Sequence, residues 1–198
     1  MQFNISIAGL IVQINSLFLA VYRKCADYLG DPYAKADIVV RTTMDELRTD
    51  YERLVLETSQ GTIFSNLECL AVLRQISEAI LDYDTLLTHG AAIAYDGGAY
   101  LFCAPSGTGK TTHIRLWLEN LPEAYVVNGD KPFLRFTEKG VWVCGSPWCG
   151  KENLGTNTMV PLKAVIFMER SERNHIQGVP FGKSFLYTVQ MLNLQMEL

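Results

Sequence analysis

The chain has 198 residues, of which 48% are hydrophobic and 19% charged, and it carries a net charge of −4. That balance suits one folded domain with a real core, alone or with a modest extension, and excludes a disordered chain. It also argues against a nucleic-acid partner, because duplex-binding surfaces are strongly basic.

Residues 1–22 contain no charged side chain, yet Asn4, Ser6, Gln13, Asn15 and Ser16 interrupt the apolar run and no Lys or Arg precedes Arg23. Neither a signal peptide nor a membrane span has that pattern, so the segment reads as buried strands with Gly9 at a turn or bulge. KADIVVRT (35–42) predicts a strand. Thr43-Met44-Asp45-Glu46 matches a capping box, followed by Leu47, Tyr51 and Leu54 at helical spacing. A short strand is expected over 54–58. Ser65-Asn66-Leu67-Glu68 reads as a second capping box, opening a helix to about Tyr83 with Leu70, Leu73, Ile76 and Ile80 on one face.

The second half begins near Leu86. HGAAIAY and AYLFCA predict two strands joined by a tight hairpin at Asp96-Gly97-Gly98. The second strand enters a small-residue loop, and Ile114, Trp117, Leu118 and Leu121 then mark a helix that Pro122 stops. AYVVN predicts another strand, and FLRF and VWVC flank a Thr-Glu-Lys-Gly turn. LKAVIFME is a near-continuous apolar run, as expected for a strand covered on both faces. After Ser184, Phe185, Val189, Leu192 and Met196 share one helical face. Interleaved strands and helices indicate an α/β class, and the hairpins make its sheet mixed.

Cys25, Cys69, Cys103, Cys144 and Cys149 form no CxxC pair, and their odd number suggests no disulfide framework. A reducing, cytoplasmic setting is expected. Four residues separate Cys144 from Cys149, but a zinc site would need two more ligands, and His175 is the only nearby histidine.

The strongest motif is Ala104-Pro105-Ser106-Gly107-Thr108-Gly109-Lys110-Thr111. It matches the phosphate-loop pattern G-x-x-x-x-G-K-[ST] except that alanine replaces the first glycine. Gly107 and Gly109 supply the backbone freedom that lets N–H groups converge on phosphate oxygens. Lys110 would bridge the β- and γ-phosphates, the Thr111 hydroxyl would bind Mg2+, and the first turn of the following helix would add free N–H groups and its positive end. The plainer alternative is a glycine-rich turn with a solvated lysine.

SGTGKTT (106–112) resembles the phosphate loop of ATP-dependent phosphoenolpyruvate carboxykinases. The wider frame resembles the catalytic domain of HPr kinase/phosphorylase, in which a His-Gly pair opens a strand, a hairpin follows, and the next strand enters the loop. His89-Gly90 stands at the matching interval. Where that family has paired aspartates after the next strand, VVNGDKP (126–132) has Asp130 with Lys131 beside it. VWVCGSPWCGKENLG and LKAVIFMER are similar in layout, and VPFGKS (179–184) resembles the turn before the family's last helix. The resemblance covers residues 86–198. It implies a mixed sheet with a P-loop like the HPr kinase C-terminal domain, and a divergent kinase core at 86–198. Residues 1–85 resemble nothing comparable; they form an α/β segment that is a separate domain, docks on the core or recognises the substrate.

The resemblance implies transfer of the γ-phosphate of Mg-ATP to a serine-type hydroxyl on a peptide, protein or small molecule. The cofactors would be ATP and Mg2+, with no nucleic-acid or membrane partner. Relatives of this fold can form rings, which leaves a homo-oligomer open. Ser106, Gly107, Thr108, Gly109, Lys110, Thr111 and Thr112 form the cradle. Asp130 would hold Mg2+ with Thr111 or take the acceptor's proton, and its plainer reading is an Asx turn before Pro132. His89 is a second acid/base or a phosphate contact, or a strand-start histidine bonded to backbone. Lys151 would close over a phosphate or bind the acceptor, or is a solvated loop lysine. Lys183 precedes a helix start and is weighed as a phosphate contact against a solvated residue. His113, Trp117, Trp142 and Trp148 read as packing or surface residues. The competing functions are a nucleotide-binding regulatory module without transfer and a P-loop ATPase; no NKxD pattern supports a GTPase.

Overall fold

The computed structural model describes residues 1–58, 63–105, 107–180 and 182. Ser106, Lys183 and the expected C-terminal helical face with Phe185, Val189, Leu192 and Met196 lie outside the described residues. The chain is of the α/β class with mixed sheets, and it divides into two compact units, Met1–Leu86 and Leu87–Leu198. Among the described residues no helix is long and apolar enough to cross a membrane.

The first unit starts with a hairpin, β1 (Gln2–Ile7) against β2 (Leu10–Asn15), in register from Gln2 opposite Asn15 to Ile7 opposite Leu10. Ala8 and Gly9 make the two-residue turn with φ of 51° and 73°. Both lie in the left-handed region, whose twist suits paired strands. After helix α1 (Leu19–Lys24), β3 (Ile38–Arg41) adds parallel to β2, with Ile38 opposite Val12. Ile5, Ile7, Val12 and Ile14 are buried, as alternation on a half-covered sheet requires.

Helix α2 (Met44–Thr58) begins as its capping residues suggest: the Glu46 N–H donates to Thr43 Oγ1 at 3.2 Å. The expected strand over 54–58 does not form, because α2 continues through it. Leu54 packs on the cluster of Leu47, Leu67 and Ala71, so tertiary burial along the helical face decides against the β-branched, apolar local sequence. Helix α3 (Phe64–Ala79) runs into a 3-10 turn over Ile80–Tyr83.

The second capping box also fails. The N-cap of α3 is Ile63, with no side-chain cap bond. Glu68 is instead fully buried and accepts the N–H of Leu17 at 2.5 Å, the N–H of Phe18 at 2.8 Å and the hydroxyl of Thr42. It serves the entry to α1, about fifty residues earlier, and not its own helix.

The larger sheet has the order β4 (Thr85–Leu87), β8 (Phe133–Thr137), β9 (Gly140–Cys144), β10 (Met159–Phe167), β6 (Gly98–Cys103), β5 (Ala91–Tyr95), β7 (Tyr125–Asn128). Helix α4 (Lys110–Asn120) connects β6 to β7. Asp96 and Gly97, with φ of 47° and 69°, close the β5–β6 hairpin. Phe102 and Ile114 anchor the packing of α4 on the sheet with Ala91, Ile93 and Val126. Trp117 stacks at ring-centroid distances of 5.0 Å from Tyr100 and 5.4 Å from Phe102, and His113 lies 4.9 Å from Phe102.

β10 departs from expectation. Its residues alternate between partly buried and exposed, with Pro161, Lys163 and Val165 exposed. On that side the stem of Lys163 crosses Gly98, where a Cβ would come within 2.4 Å of it, and Lys163 Nζ donates to Asp96 O at 2.6 Å. A lysine stem covers apolar surface there while its ammonium stays at the edge.

Strand direction brings several strand ends to one edge. β10 is parallel to β6, with Phe167 opposite Cys103. β5 is antiparallel to both β6 and β7. The carboxyl ends of β6, β7 and β10 and the amino end of β5 therefore share one edge of the sheet, the place where open α/β sheets bind ligands.

Replacing Glu68 with Ala would leave two backbone N–H groups and a hydroxyl without their buried acceptor. The expected loss is roughly 2–4 kcal/mol, read by chemical unfolding of the full chain, and Glu68→Gln should lose distinctly less.

Candidate functional site

Four short segments of the second unit meet at that edge. The first is the glycine loop after β6. Gly107 and Gly109 have φ of 76° and 117°, a region in which a Cβ would be strained. The Thr108 N–H donates to Pro105 O at 3.3 Å, and Gly109 caps α4 without a side-chain bond. The chain thus turns sharply and presents the amino end of an 11-residue helix beside exposed Thr111 and Thr112. Lys110 folds back over this turn and donates from Nζ to Ala104 O at 2.6 Å. Burial lowers the Lys110 ammonium below its usual range, and neighbouring Lys131 adds to the drop, against the opposing pull of Asp130 and Cys103. Burial pushes the Cys103 thiol up to about 12, against the opposing charge of Lys110, so no thiolate stands under the loop.

The second segment is Asn128–Pro132, beyond β7. Asn128 is fully buried, and its Oδ1 accepts the N–H of Asp130 at 2.8 Å and of Lys131 at 2.7 Å. Its Nδ2 donates to Ser146 O at 2.9 Å and Ser146 Oγ at 3.0 Å, and Ser146 Oγ donates to Lys131 O at 2.6 Å. The Asx turn here is therefore made by Asn128, and the Asp130 side chain is left to turn elsewhere.

It turns to the third segment, the entry to β5. The Gly90 N–H donates to Asp130 O at 2.9 Å, and Thr88 donates from both N and Oγ1 to Pro132 O at 2.9 Å. These bonds lay residues 88–90 against 130–132 and set His89 Nε2 3.2 Å from Asp130 Oδ1. Gly90 is required: a Cβ there would come 2.9 Å from Phe102 O. Burial pushes the Asp130 carboxyl up, but the hydrogen bond and charge of His89, then the charges of Lys131 and Lys110, outweigh it. The carboxyl stays below its ordinary value and ionised at neutral pH.

The fourth segment follows β10. The Met168 N–H continues the parallel pairing to Cys103 O at 2.9 Å, which carries Arg170 to the glycine loop, where its Nη2 donates to Gly107 O at 2.6 Å. Arg170 carries a direct contact that motif reading overlooks; its only sequence signal is a charged Glu-Arg pair just past an apolar strand.

Lys151 is exposed in the loop after β9. That loop nonetheless lies against the site: a Cβ on Gly150 would sit 3.1 Å from Asp130 Cβ, and one on Gly129 would sit 2.8 Å from Cys149 O. Glu152 ties the loop to α4 by accepting from Arg115 Nη2 at 2.9 Å through both carboxylate oxygens. The structure thus brings Gly107, Thr108, Gly109, Lys110, Thr111, Thr112, Asp130 and His89 to one edge and leaves Lys151 on its rim.

Among the described residues no group of three or more His, Cys, Asp or Glu side chains is arranged to hold a metal alone. A hard cation such as Mg2+ often takes only one or two protein oxygens and completes its shell with phosphate and water, and Asp130 and Thr111 carry oxygens of that kind, the Asp130 carboxyl being ionised at neutral pH. No family model matches the chain, and no curated protein matches it in sequence.

Two outcomes are expected of variants. Asn128→Ala strips the acceptor from two buried N–H groups and should cost about 2–3 kcal/mol, measured as a shift in the unfolding midpoint. Because the folded Asp130 value lies below the unfolded one, its contribution is present at neutral pH and is lost as pH falls below about 4 through the lowered value. Unfolding measured from pH 5 to pH 2 should therefore show a shallower loss for Asp130→Asn than for wild type.

Proposed function

We propose that the second unit is a P-loop kinase core of the HPr kinase type, transferring the γ-phosphate of Mg-ATP to a serine-type hydroxyl on a peptide, protein or small molecule. The reading rests on one observation: a glycine loop with left-handed Gly107 and Gly109 and a back-folded Lys110 shares a sheet edge with an ionised Asp130 bonded to His89. Anions are favoured where backbone N–H groups converge at a helix start, and Lys110 would leave Ala104 O for the β- and γ-phosphates.

Phosphoryl transfer asks for position and charge neutralisation more than covalent chemistry. The acceptor oxygen would bond to the γ-phosphorus while the bond from that phosphorus to the β–γ bridging oxygen breaks. Asp130 would accept the hydroxyl proton as this happens, with His89 Nε2–H holding the carboxylate in place. In the alternative use of that carboxylate, Asp130 and Thr111 would be the residues that hold Mg2+, which would supply positive charge against the phosphate oxygens. Arg170 would fix the loop through Gly107 O, and exposed Lys151 would meet the acceptor or a phosphate from the loop after β9.

Calorimetry of the full chain with Mg-ATP tests the reading. Wild type should bind, and Lys110→Ala should weaken binding by about 10- to 100-fold, as loss of a charged hydrogen bond implies. Asp130→Asn should keep nucleotide but lose about 100-fold or more of transfer to a hydroxyl acceptor, followed with γ-labelled ATP across peptides and small hydroxyl compounds. Binding without transfer to any acceptor would favour a nucleotide-binding module. Release of phosphate to water alone would favour an ATPase. Absence of Mg-ATP binding by wild type would remove the kinase reading altogether.

A further inference from the structure

Lys131 has no assigned role in that scheme, and its setting is unusual for a lysine. Only 9% of its surface is exposed. Its backbone is pinned from both sides, the N–H by Asn128 Oδ1 at 2.7 Å and the carbonyl by Ser146 Oγ at 2.6 Å. The pinning is independent of the side chain, so the position need not be a lysine for the turn to form. The residue lies at the carboxyl end of β7, on the edge that β6 and β10 share.

The charge balance is uneven. Lys110 and Lys131 both act on a single carboxylate, Asp130, and that carboxylate already has His89 as a hydrogen-bond partner 3.2 Å away. Two ammonium groups thus face one carboxylate, a net positive charge before His89 is counted, and Arg170 adds another at the loop. Holding an incompletely matched ammonium out of water is costly, and an arriving anion removes that cost.

We infer that Lys131 is a second phosphate-contacting cation, acting with Lys110 on the terminal phosphate of a nucleoside triphosphate. The inference rests on the nucleotide reading above and adds to it a means of telling triphosphate from diphosphate. A lysine suits this task because its compact charge can follow a phosphate oxygen without the fixed two-point geometry of a guanidinium. In that scheme the loop N–H groups would take the α- and β-phosphates, and the terminal phosphate would lie toward the strand-end carboxylate next to Lys131.

The test is calorimetry of the full chain with Mg-ATP and Mg-ADP, on wild type, Lys131→Met, Lys131→Arg and Lys110→Ala. Lys131→Met should lose about tenfold or more in Mg-ATP affinity and less than about threefold in Mg-ADP affinity, and Lys131→Arg should recover part of the loss. Lys131→Met should also unfold at the same temperature as wild type or higher, since a buried charge has been removed. Should the Met variant fail to fold, Lys131→Gln takes its place in the same comparison. Unchanged Mg-ATP affinity in Lys131→Met, alongside a loss in Lys110→Ala, would overturn the inference and leave the nucleotide site standing. Equal losses for Mg-ATP and Mg-ADP would overturn it as well, by removing the terminal phosphate from the account. If wild type binds neither nucleotide, the nucleotide reading fails and the inference falls with it.

Discussion

The side-chain amide of Asn128 bonds two backbone N–H groups with its oxygen and Ser146 with its nitrogen, all without exposure to water. A buried amide with both ends satisfied fixes a turn in one geometry, because every alternative leaves a polar group unpaired. The turn in question carries Asp130 and Lys131 off the end of β7. It also holds Asp130 O where the Gly90 N–H can reach it, and so sets His89 beside the carboxylate. The candidate edge depends on this amide more than on any ion pair.

Around that turn, electrostatics favour an anion. Lys110 and Lys131 are both lowered by burial, and Asp130 is held ionised by His89 and the two ammonium groups. Among the described residues the Lys110 ammonium bonds the loop carbonyls of Ala104 and Pro105, which compete weakly with a charged ligand. The exposed Arg115–Glu152 pair, with side chains 61% and 43% exposed, contributes little to stability, and its role is to keep the loop after β9 near α4. Close backbone approaches at Gly90, Gly129 and Gly150 let these segments meet at all.

The first unit shows the same device used for stability. A fully buried carboxylate, that of Glu68, collects two N–H groups ahead of α1 and the hydroxyl of Thr42, and so ties α3 to two segments distant in sequence. Arg74 does similar work at the rim, bonding Glu46 at 2.8 Å and Asp50 at 3.1 Å on α2.

Local signals in the sequence determined much of this protein. The Ala8-Gly9 and Asp96-Gly97 hairpins, the helix that starts at Lys110 and the glycine loop before it follow from φ preferences and periodicity that act within a few residues. Asp130 and His89 stand out instead through the intervals that this sequence shares with the HPr kinase frame it resembles. Tertiary structure alone decided the rest. LVLET at 54–58 has the composition of a strand, and it became helix because Leu54 could join Leu47 and Leu67 in a core. Glu68 fits a capping box by spacing, but three buried donors from elsewhere in the chain claimed its carboxylate. Asn128, Lys131 and Arg170 found partners 2 to 63 residues away, and no local pattern records which side chain will be buried beside which. Backbone preference is written in neighbouring residues, whereas the pairing of buried polar groups exists only once distant segments have excluded water between them.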